Sequence, residues 1–376
     1  MTRPKRLLFI QTQAENAGAQ EISRLIGQGL MARSYEVHHL FFYRVTDGCD
    51  ALPNVTFVSQ ERPGGSLRFA RFLLRLRATI RRIRPDVVLT FQHYGNVLGA
   101  PAARLAGAPD VIANHVSARA TVGNAARLLD CIFGLIGVYR RITVNSRDLQ
   151  RDYAGYPARY RRLMTLVPHG FERKASGLSQ AEARRRFALP QDARVIGTVC
   201  RLHPLKQIDH AIHALRHLPG VHLAVAGQGP DADRLVALAV AEGVAERFHR
   251  IGELPTHEIG DFLQSLDLFV FPTAAETFGL AAVEAAQAGL PVVANDIPVL
   301  REVLAVEGEP CAVFVDTGDA ASFASAVAGL FDDTALAEAM TVRGRHLAEH
   351  HSLERMIDAY ETMIEQDGRG GRRGAA

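Results

Sequence analysis

The chain contains no tryptophan and only four cysteines among its 376 residues, at positions 49, 131, 200 and 311. Cysteines this few and this scattered exclude a disulfide framework and a Cys-x-x-Cys metal site, and they suit a reducing cytoplasm. Aromatic residues make up only 7%, whereas hydrophobic (48%) and charged (22%) residues reach the shares of ordinary folded proteins. Disordered, collagenous and coiled-coil classes are therefore excluded.

Long apolar runs are also missing. The longest, over residues 128–139, is interrupted by Asp130 and falls short of the roughly 20 residues that span a bilayer. The basic N-terminus is followed by four apolar residues before Gln11, too few for a signal peptide. We therefore expect a cytoplasmic protein that does not cross the membrane.

The two halves of the chain carry opposite charge although the net charge is only +3. Residues 1–170 hold 24 Lys and Arg against 11 Asp and Glu, and the remaining residues hold 19 against 29. This opposition indicates two domains with different partners. A basic first half suits nucleic acid, an anionic membrane or an acidic substrate.

Short apolar runs alternate with helical patterns, which predicts two α/β domains, each a doubly wound, Rossmann-like parallel sheet. We expect the domains to face each other across a cleft, because open parallel sheets bind ligands beyond the carboxyl ends of their strands. The boundary is predicted at 172. The predicted strands are residues 6–11, 35–42, 86–91, 111–114, 141–145 and 163–167 in the first domain, and 195–199, 221–226, 249–251, 266–271, 291–294 and 312–314 in the second.

Two glutamates, Glu276 and Glu284, follow the predicted strand 266–271. With Glu276 at the start of a helix, the spacing places Glu284 about two turns in, roughly 12 Å along the axis. That span suits a ligand with two hydroxylated ends joined by an anionic bridge. The helix N-terminus would supply free amides, and Gly279 would let a phosphate approach the backbone. The alternative is an ordinary first-turn charge and a solvated helix face.

Two cations, Arg201 and Lys206, lie on the loop after strand 195–199. Such a pair can converge on a diphosphate and neutralise it as it departs, Arg as a planar fork and Lys as a point charge. Solvated surface charge is the alternative. The loop from Gly227 to Pro230 has two glycines but lacks the third of a dinucleotide fingerprint, so an NAD site is poorly supported.

Two further residue patterns match those of known metal-binding motifs, but we predict no bound metal. Asp231 and Asp233 form an Asp-x-Asp where a helix N-cap is expected, so capping is favoured. His210, His213 and His217 share one face of a probable helix, yet no carboxylate or cysteine completes a zinc set. Near the N-terminus, Gly18 precedes a helical pattern over residues 20–32 and is expected to keep a ligand loop open.

In order and spacing, these residues together resemble the family 4 retaining glycosyltransferases (glycosyl transferases group 1), which have the two-Rossmann GT-B fold. The resemblance covers nearly the whole chain and is densest over residues 195–303. The matching features are the Glu-x7-Glu pair Glu276 and Glu284, the cations Arg201 and Lys206, the Gly-x-Gly-Pro loop at Gly227, the helix-to-strand run at 284–294, and Arg301-Glu302-Val303.

The resemblance implies a hexosyltransferase-type enzyme that needs no metal or other cofactor and moves a sugar from a nucleoside-diphosphate sugar to an acceptor. It assigns the donor diphosphate to Arg201 and Lys206, the ribose hydroxyls to Glu284 and the sugar hydroxyls to Glu276. It implies further donor-binding residues, with backbone amides near 278–280 assisting: Gly18, Gly227, Thr277, Phe278, Gly279 and Leu280.

The family often carries a histidine near the donor sugar, after the fourth strand of its N-terminal domain. His115 fits that place and is the implied catalytic partner of Glu276, while His93 is the competing candidate on the acceptor side. The implied organisation is an acceptor-binding domain over 1–172, a donor domain over 173–350 and a helix over 351–366 that returns to the first domain. Residues 367–376 are expected to be a disordered tail.

Seven arginines and no acidic residue occupy residues 68–84: Arg68, Arg71, Arg75, Arg77, Arg81, Arg82 and Arg84. An apolar stripe at helical spacing accompanies them and is expected to face the core, which leaves membrane contact to the arginines alone. A helix lying on an anionic inner leaflet is one interpretation, and a solvated surface helix is the other. Nucleic acid is disfavoured, since no aromatic stacking platform accompanies the charge.

These features predict a peripheral transferase whose acceptor is a lipid-linked glycan or a cell-surface polysaccharide precursor such as lipopolysaccharide. The rival enzyme is a sugar-nucleotide epimerase on the same fold. The rival outside catalysis is a nucleotide-sugar-binding protein that has lost transfer. The sequence leaves open the base and sugar of the donor, the linkage and the oligomeric state.

Overall fold

The structure is a computed structural model that describes residues 3–15, 18–46, 48–50, 52–118 and 121–366. The chain forms two compact units. Unit 1 comprises the residues up to Gly170 together with the C-terminal segment from Ser352, and unit 2 comprises Phe171–His351. The predicted disordered tail, residues 367–376, lies outside the described residues.

Unit 1 is built on a parallel sheet that has seven strands in the described residues, in the order β3-β2-β1-β4-β5-β6-β7. Its strands are β1 Arg6–Ala14, β2 Glu36–Arg44, β3 Val55–Phe57, β4 Val87–Phe91, β5 Asp110–His115, β6 Arg141–Val144 and β7 Met164–Leu166. Its helices begin with α1 Gly18–Ala32, α2 Ser66–Ile83, α3 Gln92–Tyr94, α4 Ala100–Leu105, α5 Asn124–Leu135, α6 Arg147–Asp152 and α7 Ala158–Arg161.

Unit 2 is built on a parallel sheet that, in the part of the chain described, has six strands in the order β10-β9-β8-β11-β12-β15. The strands are β8 Arg194–Val199, β9 Val221–Ala226, β10 Phe248–Gly252, β11 Leu268–Phe271, β12 Val292–Asn295 and β15 Val313–Val315, with a hairpin of β13 Ala305–Val306 and β14 Glu309–Pro310. The helices are α8 Gln180–Arg186, α9 Ile208–Ala214, α10 Ala232–Ala241, α11 Ile259–Gln264, α12 Leu280–Ala288, α13 Pro298–Val303, α14 Ala320–Asp332, α15 Thr334–Arg345 and α16 Leu347–His350.

The strands are apolar on both faces because helices cover both sides of each sheet. In β1, residues 7–10 are all fully buried, as the continuous run predicted. The predicted α/β class with two parallel, Rossmann-like sheets is confirmed. Two elements were not predicted: the edge strand β3, which is only three residues long, and the hairpin β13–β14.

The last helix, α17 Leu353–Gln366, packs against α1 inside unit 1. Arg33, at the end of α1, forms ion pairs with three of its acids, Glu354, Asp358 and Glu361. Gly29 leaves room for Ile357, since a Cβ at this position would lie 2.1 Å from the Ile357 Cδ1 atom. The close approach of the two helices therefore depends on a glycine in α1.

The described strands of the two large sheets run parallel, so the loops that follow them meet at one edge of each sheet. In unit 2 the loops after β8, β9 and β11 carry most of the candidate residues. In the described portion of the chain, no helix has both the length and the apolar content to cross a bilayer.

Candidate functional site

The loops after β8 and β9 are locked together by their backbones at the carboxyl edge of unit 2. The Leu202 amide donates to the Gln228 carbonyl (2.8 Å), and the Asp231 amide donates back to the Leu202 carbonyl (3.1 Å). Gly227 has φ +144°, and a Cβ there would lie 1.8 Å from the Cys200 carbonyl oxygen. Only glycine therefore allows the two loops to pack this closely. The packing holds Arg201, which is exposed, beside the loop of Gly227.

Lys206 ends a tight turn on the same loop and faces the loop after β11. His203 starts this turn and accepts from the Leu205 amide through Nδ1 (3.3 Å). The Lys206 ammonium forms an ion pair with the Glu276 carboxylate and lies 5.6 Å from the centre of the Phe271 ring. Burial lowers the pKa of Lys206, but the charge and hydrogen bond of Glu276 outweigh it, so the net shift is upward. The ammonium therefore stays charged.

Glu276 lies in the loop before α12 and not at the start of a helix, which corrects the prediction. The helix begins only at Leu280, after Gly279 in the left-handed conformation (φ +82°). A Cβ at Gly279 would approach Leu300 Cδ2 to 2.6 Å, so the glycine lets the turn pack against α13. Glu284 accordingly lies about one turn into α12. The 12 Å estimate, which assumed continuous helix, does not apply.

Glu284 is 7% exposed and has a cation beside it that the sequence analysis missed. The Lys174 ammonium lies 3.6 Å from its Oε1 atom, and Lys174 is itself only 8% exposed. The two motif glutamates are therefore each paired with a lysine of unit 2, Glu276 with Lys206 and Glu284 with Lys174. Lys174 carried no sequence signal, because it belongs to an irregular segment with no strand or helix pattern.

The loop between Glu276 and α12 is fixed by packing against His351. Phe278 is buried, and its ring packs edge-on against that of His351 at 5.0 Å. His351 Nε2 lies 3.0 Å from the Val303 carbonyl oxygen, and burial lowers the pKa of His351 to about 4. The ring is therefore neutral and donates to that carbonyl. Of the other predicted donor residues, Thr277 is half-buried in this loop and Leu280 opens α12.

The remaining predicted site residues belong to unit 1. Gly18 is the first residue of α1, and a Cβ there would meet nothing within 4 Å. His93, on α3, and His115, at the end of β5, line the same small pocket. Burial lowers the pKa of His93, whose ring stacks at an angle on Tyr94 at 4.1 Å.

Both ring nitrogens of His115 have polar neighbours. Nδ1 lies 2.7 Å from the Tyr153 hydroxyl and Nε2 lies 3.2 Å from the Tyr160 hydroxyl. Nε2 is also 3.5 Å from the carboxylate of Asp130, which accepts a hydrogen bond from Tyr160 (2.5 Å). Burial lowers the pKa of His115, although the Asp130 charge opposes the shift. Asp130 was missed as a site residue, although it interrupts the longest apolar run.

The Asp-x-Asp pattern and the three histidines both differ from their predicted local geometry. Asp231 stands at the N-cap of α10 but makes no side-chain cap, which corrects the prediction, because Arg234 binds its carboxylate at 2.5 Å and 2.8 Å. The three histidines do not share a helix face, since α9 ends at Ala214 and His217 lies in a separate 3-10 turn. Among the described residues, no three His, Cys, Asp or Glu side chains cluster as a metal site would require.

The basic helix α2 exposes more than its arginines. All seven arginines from 68 to 84 are exposed, while Phe72, Leu76 and Ile80 form the core-facing stripe. Leu67 and Leu74 are nevertheless 65% and 68% exposed. These two leucines were not part of the predicted stripe, and they lie on the exposed surface together with the arginines.

Comparison with known proteins gives the following matches. The family described as glycosyl transferases group 1 matches residues 179–347. D-inositol 3-phosphate glycosyltransferase of Mycolicibacterium smegmatis is 30% identical over 194 residues, which is 50% of this chain and 44% of that protein. O-antigen biosynthesis glycosyltransferase WclY of Escherichia coli is 32% identical over 120 residues, covering 32% of this chain and 33% of WclY.

These matches leave part of each relative uncovered, since the chain spans less than half the length of either protein. One solved structure matches over nearly the whole length of this chain. Anabaena HepE, in complex with UDP and glucose, aligns with a TM-score of 0.82 and 18% identity over 96% of this chain and 100% of HepE. The likeness shows that the fold is GT-B.

Proposed function

We propose that the chain is a retaining glycosyltransferase, because residues 179–347 match the glycosyl transferases group 1 family. It transfers a hexose from a nucleoside-diphosphate sugar to a hydroxyl of an acceptor and needs no metal ion. Unit 2 binds the donor, and unit 1 binds the acceptor. The complex of HepE with UDP and glucose supports a donor of this class.

One observation carries the proposal. The loops after β8, β9 and β11 bring a charged lysine, a closely packed glycine turn and two buried or half-buried glutamates to one edge of a parallel sheet. Lys206 and Glu276 are in direct contact there. Open α/β sheets bind nucleotides at this edge, and a helix that starts there offers free amides to a phosphate.

The chemistry follows from the charges. In the transfer, the bond between the sugar C1 atom and the diphosphate breaks, and a bond forms from C1 to the acceptor oxygen, whose proton passes to the departing diphosphate. Negative charge grows on the departing diphosphate, and Arg201 and Lys206 stabilise it. Glu276 accepts hydrogen bonds from sugar hydroxyls, and Glu284 accepts them from the ribose. By resemblance to the family, we assign His115 to the donor sugar and His93 to the acceptor.

We propose a lipid-linked glycan or polysaccharide precursor as the acceptor, bound by a chain that is cytoplasmic and peripheral to the inner membrane. The likeness to WclY, an O-antigen biosynthesis enzyme, supports a glycan acceptor. The seven exposed arginines of residues 68–84 support an anionic membrane surface, since each basic residue near such a surface contributes about 1 kcal/mol. The exposed Leu67 and Leu74 add apolar contact.

A thermal-shift panel with UDP, GDP, ADP, dTDP and CMP tests the donor site. A nucleotide at a hundred times its Kd adds about 2.7 kcal/mol of stability, so one diphosphate should raise the Tm of the native chain clearly. Glu284→Ala should lose that shift, whereas Glu309→Ala, on the exposed hairpin of unit 2, should keep it. No shift with any nucleotide would contradict a donor site.

Transfer and membrane contact need separate tests. With the nucleotide sugar that the panel selects, transfer of the sugar to an acceptor would support the transferase. Conversion of the donor sugar without an acceptor would favour an epimerase, and binding without turnover would favour a binding protein.

Flotation with anionic and neutral vesicles tests the membrane contact and should show salt-sensitive binding to the anionic vesicles only. The charge-reversal variants Arg71→Glu and Arg75→Glu, combined in one chain, should abolish this binding. Equal flotation of the native chain and this double variant would refute the proposal that the basic surface of α2 contacts the membrane.

A further inference from the structure

We propose that Lys174 is a specificity residue of the donor site, where it and Glu284 together recognise the vicinal hydroxyls of the nucleotide ribose. The inference rests on the proposed function, because it concerns the nucleotide held by unit 2. Glu284 accepts a hydrogen from one ribose hydroxyl, and the Lys174 ammonium donates to a ribose hydroxyl oxygen. The pair therefore distinguishes ribonucleotides from deoxyribonucleotides.

The first support is the position of the two charged groups. The Lys174 Nζ atom lies 3.6 Å from Glu284 Oε1, and the two side chains are 7% and 9% exposed. Glu284 lies near the start of α12, at the carboxyl edge of the unit 2 sheet. At this separation the ammonium and the carboxylate form an ion pair, so both charged groups are held at the same point of the sheet edge.

The second support is that the backbone of the fold positions Lys174. The segment that carries it packs against α11, where a Cβ at Gly260 would lie 2.4 Å from the Ala175 carbonyl oxygen. Ser176 then donates to the Asp261 carboxylate of α11 (2.6 Å) and accepts from the Leu178 amide (3.0 Å). Two anchors on α11 thus hold an irregular segment so that its lysine reaches α12.

The third support is chemical. A hydroxyl group both donates and accepts, so a carboxylate alone satisfies only its hydrogen, whereas a carboxylate beside an ammonium satisfies hydrogen and oxygen. Buried polar groups built to bind a hydroxyl discriminate strongly against a ligand that lacks it, because they are then left unpaired. A lysine that served only as the counter-ion of Glu284 would stabilise unit 2 without discriminating between riboses.

The test is a set of affinities for four chains and three ligands. Isothermal titration compares UDP with 2′-deoxy-UDP and 3′-deoxy-UDP, or the matching guanosine set if the panel selects GDP. The native chain should prefer the ribonucleotide, and Lys174→Met should reduce that preference at least tenfold for one deoxy form, as expected for one hydrogen bond to a charged group. Lys174→Arg, which keeps charge and donors, should retain most of the preference.

Arg184→Met is the matched control. Arg184 forms another buried ion pair of unit 2, with Asp267 at 2.7 Å, but Asp267 precedes β11 and so lies at the opposite edge of the sheet. Its loss should lower the Tm and leave the ribose preference unchanged. If Lys174→Met does not fold, the charge-balanced double variant Lys174→Met with Glu284→Gln is compared with Glu284→Gln alone, and the double variant should show the smaller preference.

The outcomes separate the two proposals. A native chain that binds none of the diphosphates overturns the proposed function and this inference with it. A native chain that binds the ribonucleotide, with the same preference in Lys174→Met, overturns the inference alone and leaves Lys174 as a structural counter-ion. An equal loss of affinity for all three ligands in Lys174→Met also overturns it, since the lysine would then act on the diphosphate or on the fold.

Discussion

His39, in strand β2, should make unit 1 sensitive to acid. Its side chain is 1% exposed, its ring packs edge-on against Phe9 at 5.4 Å, and a Cβ at Gly27 would come within 3.1 Å of the ring. Neither ring nitrogen has a hydrogen-bond partner among the described residues. Burial, with a smaller contribution from the charge of His38, lowers the pKa of His39 to about 4.

The size of the effect follows from linkage. The pKa of His39 is about 4 in the folded chain and about 6.5 in an unfolded one, so the unfolded state binds the proton first as the pH falls. The stabilisation is complete above about pH 6.5 and is lost progressively as the pH drops towards 4. At pH 5 the loss relative to pH 7.5 is about 2 kcal/mol from this one residue.

Hydrogen exchange of the β2 amides at pH 7.5 and pH 5.0 measures the opening free energy where His39 lies. The native chain should lose stability on acidification, and His39→Leu should lose about 2 kcal/mol less, because the apolar side chain cannot take up a proton in the unfolded state. His257→Leu, at a side chain that is 80% exposed, is the control. Equal acid-dependent losses in native and His39→Leu chains would refute the reasoning.

Two further predictions concern packing. Gly227→Ala should cost at least about 2 kcal/mol and abolish the nucleotide-induced rise in Tm, because the new Cβ would lie 1.8 Å from the Cys200 carbonyl oxygen; Gly243→Ala, where φ is also positive but the space is open, should cost only about 1 kcal/mol and keep that rise. Arg33→Ala should speed hydrogen exchange across α17 and cost about 1–2 kcal/mol, since it breaks ion pairs with three acids, whereas Arg151→Ala, which breaks an exposed pair, should change neither.

The strands that the sequence predicted well are those with long apolar runs. Residues 221–226 were predicted as a strand and form β9 with the same limits. The missed strand β3 consists of three residues at the edge of its sheet, all half-buried, so it has neither the length nor the apolar pattern that marks a strand. Its existence depends on pairing with β2.

The sequence motifs identified the residues of the candidate site, but they did not predict its local geometry. Glu276 was predicted at the start of a helix, but the good helix formers of this segment begin only at Leu280. The helix starts only after Gly279, where the left-handed turn packs against Leu300. That contact joins residues distant in sequence, so no local pattern encodes it.

The sequence by itself determined the α/β class, the two parallel sheets and the residues of the Glu-x7-Glu loop, because apolar periodicity and motif spacing are local properties of the chain. Only the tertiary structure decided which charged and polar groups meet: Lys206 with Glu276, Lys174 with Glu284, and Asp130 with His115. Ion pairs between separate loops depend on how the strands are ordered in the sheet and on backbone approaches such as that of Gly260 to Ala175. Those distances are set by packing across the whole unit.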